Sequence, residues 1–251
     1  AYDMLRSLVG SEMCIRDRDR RMLSHPLARA IGVEVLALLL AATCAGCGRP
    51  ETMLCDACRE GIRAAPLMRR TPSGLLVRAA MPFESIASRC IRRLKDDGET
   101  MLARPLGAAL GEVLAGVVDA QAELDDPVRL VPIPTSQSAF RRRGYRVPDL
   151  LIRRAGAAPD RLLVRRGRRA DQRGLDSASR AENVRGSMRS RPATGGGVIV
   201  LVDDVVTTGA TFDEAARTLR EAGARVVSAV ALAATPRLGE RNANASETRS
   251  K

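Results

Sequence analysis

A continuous apolar run that ends in two adjacent acidic residues, VIVLVDDVVTTGAT at 198–211, limits the possible folds more than any other stretch. Its first five residues, 198–202, are all apolar, which is typical of a strand that is covered on both faces. A helical pattern at 212–223 and a second apolar run at 226–234 follow. Strand, helix and strand in this order predict a βαβ unit. The chain is therefore predicted to be an α/β protein with a mostly parallel sheet and flanking helices.

Other parts of the chain extend this pattern. Apolar spacing predicts further strands at 75–83, 128–134 and 160–166, and helices at 85–97 and 99–124. Residues 136–156 are predicted to form a basic loop that leads into a helix. The polar stretch 167–197, rich in Arg, Gly and Ser, is predicted to be a long mobile loop, and such loops are often functional. The polar tail at 236–251 is predicted to be disordered.

Composition narrows the chemistry that this chain can perform. Aromatic residues make up 2% of the 251 residues, there is no Trp, and His25 is the single histidine. Any catalytic mechanism that uses histidine would therefore have to rely on this one residue. The net charge of +12 favours anionic partners such as nucleic acid, phosphorylated small molecules or an anionic membrane surface. The alternative is an arginine-rich solvated surface without a specific partner.

The N-terminal part of the sequence divides into two segments. Residues 1–21 contain SLVGSEMCIRDR, which resembles translated sequencing-adapter read-through, so they are predicted to be a non-native leader that precedes Met22. The apolar run after Arg29 could be a signal peptide or an amphipathic helix. Glu34 within this run and the short length of the run favour the helix and argue against a membrane span. A cytoplasmic protein without a transmembrane segment is predicted.

Two pairs of cysteines predict a metal site. Cys44, Cys47, Cys55 and Cys58 have the spacing C-x2-C-x7-C-x2-C, with which each pair can bind one side of a tetrahedral Zn²⁺. Four ligands leave no open position, so the site would be structural. Two disulfides, which need an oxidising compartment, and a redox C-x2-C pair are the alternatives. A small four-cysteine zinc module is predicted at 22–66.

The acidic pair lies where open α/β sheets bind ligands, beyond the carboxyl end of a strand. Asp203 and Asp204 can accept hydrogen bonds from sugar hydroxyls. The segment that follows them leads into a helix N-terminus, whose N–H groups and dipole favour a phosphate. Its residues are Thr207, Thr208, Gly209, Ala210 and Thr211. The pattern predicts a ligand of the ribose 5-phosphate type.

These motifs together resemble a known family. VIVLVDDVVTTGAT resembles the phosphoribosyl diphosphate (PRPP) motif of type I phosphoribosyltransferases, and residues 44–235 resemble the ComF family. The other matching features are the two cysteine pairs, IRRLKDDGE with Lys95, VRLVPIP, RRRGY at 141–145, Gln172, Leu175, Arg180 and Asn183. The resemblance implies a type I phosphoribosyltransferase-like domain at 67–235, preceded by the zinc module.

The resemblance also implies roles for individual residues. Asp203 and Asp204 would hold the ribose hydroxyls as the catalytic pair, and 207–211 would bind the 5-phosphate. The loop with Pro134, Thr135 and Ser136 would face the pyrophosphate and its Mg²⁺. An oxocarbenium-like transition state would depend on electrostatic stabilisation of the leaving pyrophosphate more than on an acid or base. The arginines at 141–143 are either pyrophosphate partners or a solvated basic face.

Two functions follow from this interpretation. The first is a PRPP-binding protein that transfers phosphoribose or retains only the binding, linked through the ComF resemblance to competence and DNA uptake. The second is a non-catalytic accessory that handles single-stranded DNA together with competence proteins. The few aromatic residues are too few for a base-stacking platform, so any DNA binding should involve mainly phosphates.

Overall fold

The computed structural model describes residues 43–122, 127–166, 184–192 and 196–236. The helices in these ranges are α1 (Asp56–Glu60), α2 (Ser85–Arg92), α3 (Ala103–Ala122), α4 (Gln137–Arg143), α5 (Val147–Arg154) and α6 (Ala210–Glu221). The strands are β1 (Leu67–Arg70), β2 (Leu76–Pro82), β3 (Val128–Pro132), β4 (Leu163–Arg165), β5 (Met188–Ser190), β6 (Val198–Val206) and β7 (Arg225–Ala234). A π-helical turn, Arg93–Asp97, follows α2, and a 3-10 turn, Thr100–Leu102, precedes α3.

Within the described residues, the main sheet has five strands in the order β1-β2-β7-β6-β3. β1 pairs with β2 antiparallel, whereas the other three neighbouring pairs are parallel. β6, α6 and β7 form the predicted βαβ unit, with β6 and β7 adjacent and parallel. The prediction of an α/β fold with a mostly parallel sheet is confirmed. β4 and β5 form a separate antiparallel pair.

By contacts the chain divides into two compact units, Ala1–Cys55 and Asp56–Lys251. In the described part of the first unit, the Gly48 N–H donates to the Cys44 carbonyl at 2.8 Å and closes a tight turn. Gly48 has a φ of +79°, a conformation that glycine adopts at little cost. Because this division tests neither the module at 22–66 nor the domain at 67–235, those boundaries stay predictions.

The core of the second unit surrounds β6 and β7. Residues 198–202 of β6 are all fully buried, as their uniformly apolar sequence predicts. The C-terminal half of β7 is rich in buried alanine, whose small side chain leaves room for helices on the sheet. Helix α6 buries Phe212, Ala215, Ala216 and Leu219 against it.

Helix α3 packs closely on α5 through glycines. A Cβ atom at Gly107 would lie 2.4 Å from the Cβ atom of Arg154, and one at Gly111 would lie 3.4 Å from that of Ala155. The segment Thr100–Ala120 has a mean hydropathy of 1.5 and is long enough to cross a membrane by length and composition. Half of the most apolar 18-residue stretch of this segment is buried in the fold, as in a core helix, so the segment supports a membrane span only weakly.

Several elements differ from their predicted limits. The predicted helix 85–97 changes to a π turn at Arg93, and β6 extends four residues beyond the predicted strand 198–202. The segment 136–156 contains two helices, α4 and α5, and β5 lies within the predicted loop 167–197. Edge strand β1 was not predicted. The predicted leader, N-terminal helix and most of the tail lie outside the described residues.

Candidate functional site

The acidic pair lies in the last four residues of β6, at the carboxyl edge of the sheet. The backbone N–H of Asp204 donates to Oδ1 of Asp203 at 2.8 Å. Desolvation, and then the neighbouring charge of Asp204, raise the pKa of Asp203 well above its ordinary value. The hydrogen bond from the Asp204 N–H and the charges of Lys95 and Arg165 only partly oppose this rise. The pair is therefore an electrostatically costly arrangement, typical of functional sites.

Lys95 reaches the acidic pair from the π turn. Its Nζ lies 2.8 Å from Oδ1 of Asp204, and the two side chains are 23% and 14% exposed. Lys95 belongs to the motif IRRLKDDGE that matches the family, but its pairing with Asp204 was not predicted. Single π turns within helices are often found at functional sites.

The turn that carries Lys95 is fixed on several sides. Arg93 pairs with Glu99 at 3.0 Å across the turn. The Tyr145 hydroxyl donates to the Leu94 carbonyl, and desolvation raises the pKa of this tyrosine above its ordinary value. These contacts define the position from which the lysine side chain extends.

The predicted phosphate loop leads from β6 into α6. Thr207 and Thr208 lie between the two elements, whereas Ala210 and Thr211 are the first residues of the helix. Gly209 is the N-cap, with a φ of +89°, and a Cβ atom there would lie 2.7 Å from Cγ2 of Thr71. The first turn of α6 therefore presents backbone N–H groups at the same sheet edge as the aspartates.

The β1–β2 hairpin makes hydrogen bonds to this loop and to the first turn of α6. Arg69 donates to the carbonyl of Thr207 at 3.1 Å and to that of Thr235 at 2.6 Å. In the turn of the hairpin, the backbone N–H and hydroxyl of Ser73 donate to the Asp213 carboxylate at 3.0 and 2.5 Å. No sequence signal linked β1 to the loop, because the contacts join residues about 140 positions apart.

The loop with Pro134, Thr135 and Ser136 reaches the same edge. It follows β3, which pairs with β6 in parallel and aligns Pro132 with Val202. Ser136 caps α4 by accepting a hydrogen bond from the Ala139 N–H at 3.2 Å. The carboxyl ends of β3 and β6 therefore bring this loop and the acidic pair to one side of the sheet.

The basic segment 141–143 makes contacts of its own. Arg142 and Arg143 approach Oδ1 of Asp96 at 3.7 and 3.5 Å. Arg143 is only 14% exposed, so it joins α4 to the π turn rather than forming part of a solvated face. Gln172, Leu175, Arg180 and Asn183, which also match the family, lie outside the described residues.

The four cysteines come together. Their sulfur atoms all lie within 4.8 Å of one another, and three of the four residues are buried. Burial raises the pKa of the Cys44 thiol, but hydrogen bonds from the N–H groups of Cys55, Cys47 and Gly46 outweigh it and lower the pKa to about 6. Since the thiolate is the form that binds metals, the cluster is compatible with structural zinc.

A cavity of about 710 Å³ lies on the outer face of α6. Its lining residues are Pro72, Ser73, Arg185, Ala210, Asp213, Glu214, Arg217, Arg220 and Glu221. Arg217 forms ion pairs with Glu214 at 2.8 Å and with Glu221 at 2.5 Å, so much of the charge in this cavity is already compensated. The acidic pair is not among its lining residues, and we place the candidate site at the sheet edge instead.

β6, the fourth strand of the mostly parallel five-stranded sheet in the described residues, carries an acidic pair near its end and leads into a glycine-capped helix, which is the arrangement that the resemblance to phosphoribosyltransferases implies. Residues 142–250 match the family model described as phosphoribosyl transferase domain. The chain is 28% identical over 178 residues to competence protein ComFC of Streptococcus pneumoniae (strain ATCC BAA-255 / R6), covering 70% of each chain. It also matches a crystal structure of adenine phosphoribosyltransferase with 12% identity and a TM-score of 0.36, covering 74% of this chain and 94% of that one. The predicted resemblance to ComF-like proteins of the phosphoribosyltransferase type is confirmed.

Proposed function

We propose that this protein binds PRPP and is a phosphoribosyltransferase-like protein that serves in competence. The observation that carries the proposal is the combination of Asp203 and Asp204 with the glycine-capped start of α6 at one sheet edge. The carboxylates accept hydrogen bonds from the ribose hydroxyls, and the helix N-terminus binds the 5-phosphate. The similarity to a competence protein supports the cellular role.

The residues at the site suit a transfer that depends on charge more than on proton movement. Residues 134–136 and 207–211 would hold the two phosphate-bearing ends of PRPP, with the acidic pair between them. Breaking the bond to pyrophosphate leaves positive charge on the sugar, which the nearby carboxylates stabilise. Mg²⁺ would accompany the pyrophosphate and neutralise its charge, and the oxygen-rich site suits such a hard cation.

We further propose that the cysteine cluster holds one structural Zn²⁺. The four sulfur atoms are close enough to act as ligands of a single ion, and Cys44 favours its thiolate form. Four thiolates leave no position for substrate, which is consistent with a role in folding alone. We place the protein in the cytoplasm, where thiols remain reduced and PRPP would be accessible.

Calorimetry with PRPP and Mg²⁺ tests the main proposal. Asp204→Asn removes a charge and replaces part of the acceptor capacity, so the affinity should fall roughly ten- to hundredfold. Gly209→Val should weaken binding further, because a side chain there meets Thr71 and blocks the approach of the backbone to the phosphate. Asp119→Asn, on the exposed part of α3, is the charge-matched control. Equal affinities for all four proteins, with melting temperatures preserved, would contradict the proposal.

Binding of single-stranded DNA is a second candidate function. The net charge of +12 favours it, as does the similarity to a competence protein. DNA binding could exist with or without phosphoribosyl transfer, since a basic surface and a site at the sheet edge involve different residues.

Whether the protein transfers phosphoribose is a separate question. A screen for pyrophosphate release against amines and bases would distinguish a transferase from a protein that only binds PRPP.

A further inference from the structure

The body of this chain uses arginine almost exclusively as its basic residue. Of its 41 lysine and arginine residues, only Lys95 and the terminal Lys251 are lysines. Every other ion pair found in the described residues is made by an arginine. Among the described residues, the only ion pair made by a lysine is therefore the one with Asp204.

Arginine and lysine side chains bind a carboxylate in different ways. An arginine presents a planar fork that binds a carboxylate through two parallel hydrogen bonds and holds it in one geometry. An ammonium on a flexible four-carbon stem is a compact charge with three donors that can turn between acceptors. In this structure the ammonium nitrogen lies 2.8 Å from Oδ1 of Asp204.

Contacts hold the backbone that carries Lys95, whereas the four-carbon stem of a lysine is flexible. Arg93 with Glu99, and Tyr145 with the Leu94 carbonyl, fix the turn that carries it. The Lys95 side chain is 23% exposed, so it lies at an accessible edge of the sheet rather than in a closed core. A flexible side chain on a held backbone can move its ammonium group from one hydrogen-bond acceptor to another.

A ligand at this site would supply the second partner. In PRPP the pyrophosphate is attached to the ring carbon next to the first of the two hydroxyls that the acidic pair would hold. An ammonium beside Asp204 is therefore within reach of pyrophosphate oxygens, whose negative charge exceeds that of one carboxylate. Hydrogen bonds from the ribose hydroxyls to Asp204 would at the same time weaken its hold on the lysine.

We propose that Lys95 is a ligand-contacting residue whose ammonium exchanges Asp204 for a pyrophosphate oxygen when PRPP binds. In the protein without ligand it neutralises Asp204 and keeps the acidic pair in place. In the complex it supports the leaving group, a role that requires an ammonium rather than a guanidinium. The inference rests on the proposed PRPP site.

Calorimetry with two ligands tests this exchange. PRPP and ribose 5-phosphate, each with Mg²⁺, share the 5-phosphate and the hydroxyls, but only PRPP has the pyrophosphate. Lys95→Gln can still donate a hydrogen bond to Asp204 but carries no charge, so its affinity for PRPP should fall roughly ten- to hundredfold. Its affinity for ribose 5-phosphate should stay within about twofold of the wild type, which also shows that the variant is folded.

Two further variants complete the test. Arg92→Gln removes one charge from the adjacent helix α2, where Arg92 lies 5.9 Å from the ring of Phe83, and should bind both ligands like the wild type. Lys95→Arg keeps the charge and should regain only part of the affinity for PRPP. Unchanged affinity for PRPP in Lys95→Gln, an equal loss for both ligands, or full recovery in Lys95→Arg would each overturn the proposal. If the wild type bound neither ligand, the proposed function itself would be wrong.

Discussion

At the scale of single residues, the acidic pair opposes the stability of the fold. Asp203 is desolvated at the end of a buried strand and lies beside a second carboxylate, and both effects raise its pKa well above the ordinary value. Lys95 forms an ion pair with Asp204, whereas its charge acts on Asp203 without direct contact and lowers the pKa of Asp203 only in part. Residues that are costly to the fold yet retained are expected at binding sites.

The cost of Asp203 should depend on pH in a defined direction. A group whose pKa is raised by folding contributes stability below its unfolded pKa of about 3.9 and loses it as the pH rises through the folded value. Asp203→Asn, which can still accept from the Asp204 N–H, should therefore be more stable than the wild type at neutral pH by about 0.5–2 kcal/mol. Chemical denaturation from pH 3 to pH 8 measures this difference.

The gain from Asp203→Asn should disappear towards the acidic end of that range, where the carboxyl group is neutral in both the folded and unfolded states. Asp119→Asn, on the exposed part of α3, should show no comparable gain at any pH. A constant difference between Asp203→Asn and the wild type across the range would mean that ionisation of Asp203 is not its cause.

Sequence reasoning found the residues that are contiguous in a motif. The acidic pair and the glycine of the phosphate loop stand out because their chemistry is encoded within fourteen neighbouring positions, 198–211. Lys95 was matched to a family motif without a role, and Arg69 was not singled out. Their partners, Asp204 and Thr207, are more than a hundred residues away in sequence, so only the folded chain joins them.

At the scale of elements, the cysteine cluster is formed by a short segment, residues 44–58. The Cys44 N–H donates to the Arg49 carbonyl at 2.7 Å, and the Cys55 N–H points to the sulfur of Cys44 at 3.4 Å. Such a short segment buries little apolar surface, so a metal would supply much of its folding free energy.

Removal of one thiolate should release the metal. The purified protein should contain about one zinc per chain, and Cys55→Ser should lower that content and destabilise the N-terminal segment. Cys90→Ala is the matched control, because Cys90 is fully buried in α2 and does not belong to the cluster. Elemental analysis measures the metal. Wild-type protein prepared without chelator that holds no zinc and has four freely reactive thiols would exclude this site.

The contact between α3 and α5 depends on the absence of a side chain at Gly107. Gly107→Ala would place a Cβ atom 2.4 Å from Cβ of Arg154, so the helices must separate, at a cost of roughly 1–3 kcal/mol. Gly116→Ala on the same helix meets no atom within 4 Å and should be neutral or slightly stabilising. Urea denaturation compares the two. Equal stability of both variants would show that this helix contact is not tightly packed.

Periodicity predicted the long elements and missed the short or irregular ones. β6, α6 and β7 have strong apolar patterns and were found to within a few residues. β1 has four residues of which two are arginines, and only its pairing with β2 makes it a strand. The π turn Arg93–Asp97 continues a helical pattern in sequence, and its contacts with Glu99 and with Tyr145, which is about 50 residues away, are not visible in that pattern.

At the scale of the whole molecule, charge and composition constrain any binding of nucleic acid. The excess of positive charge favours a polyanion, while aromatic residues amount to only 2% of the chain. Contacts with phosphates carry little sequence information, whereas stacking and base-edge contacts need residues that this chain largely lacks. A surface of this composition should therefore bind single-stranded DNA through contacts with the phosphates of the DNA backbone.

Such binding should be sensitive to salt and tolerant of sequence. Each arginine–phosphate contact releases counterions, so the slope of log affinity against log salt concentration should be roughly −0.7 for each contact with a single strand. Fluorescence anisotropy with a thymidine homopolymer and a mixed-sequence strand of equal length, between 50 and 200 mM salt (roughly the range over which such contacts lose most affinity), measures the slope for both. The two strands should give similar affinities and slopes because both present the same phosphates. An affinity that stays constant with salt, or that differs strongly between the two strands, would show that base contacts rather than phosphates hold the DNA.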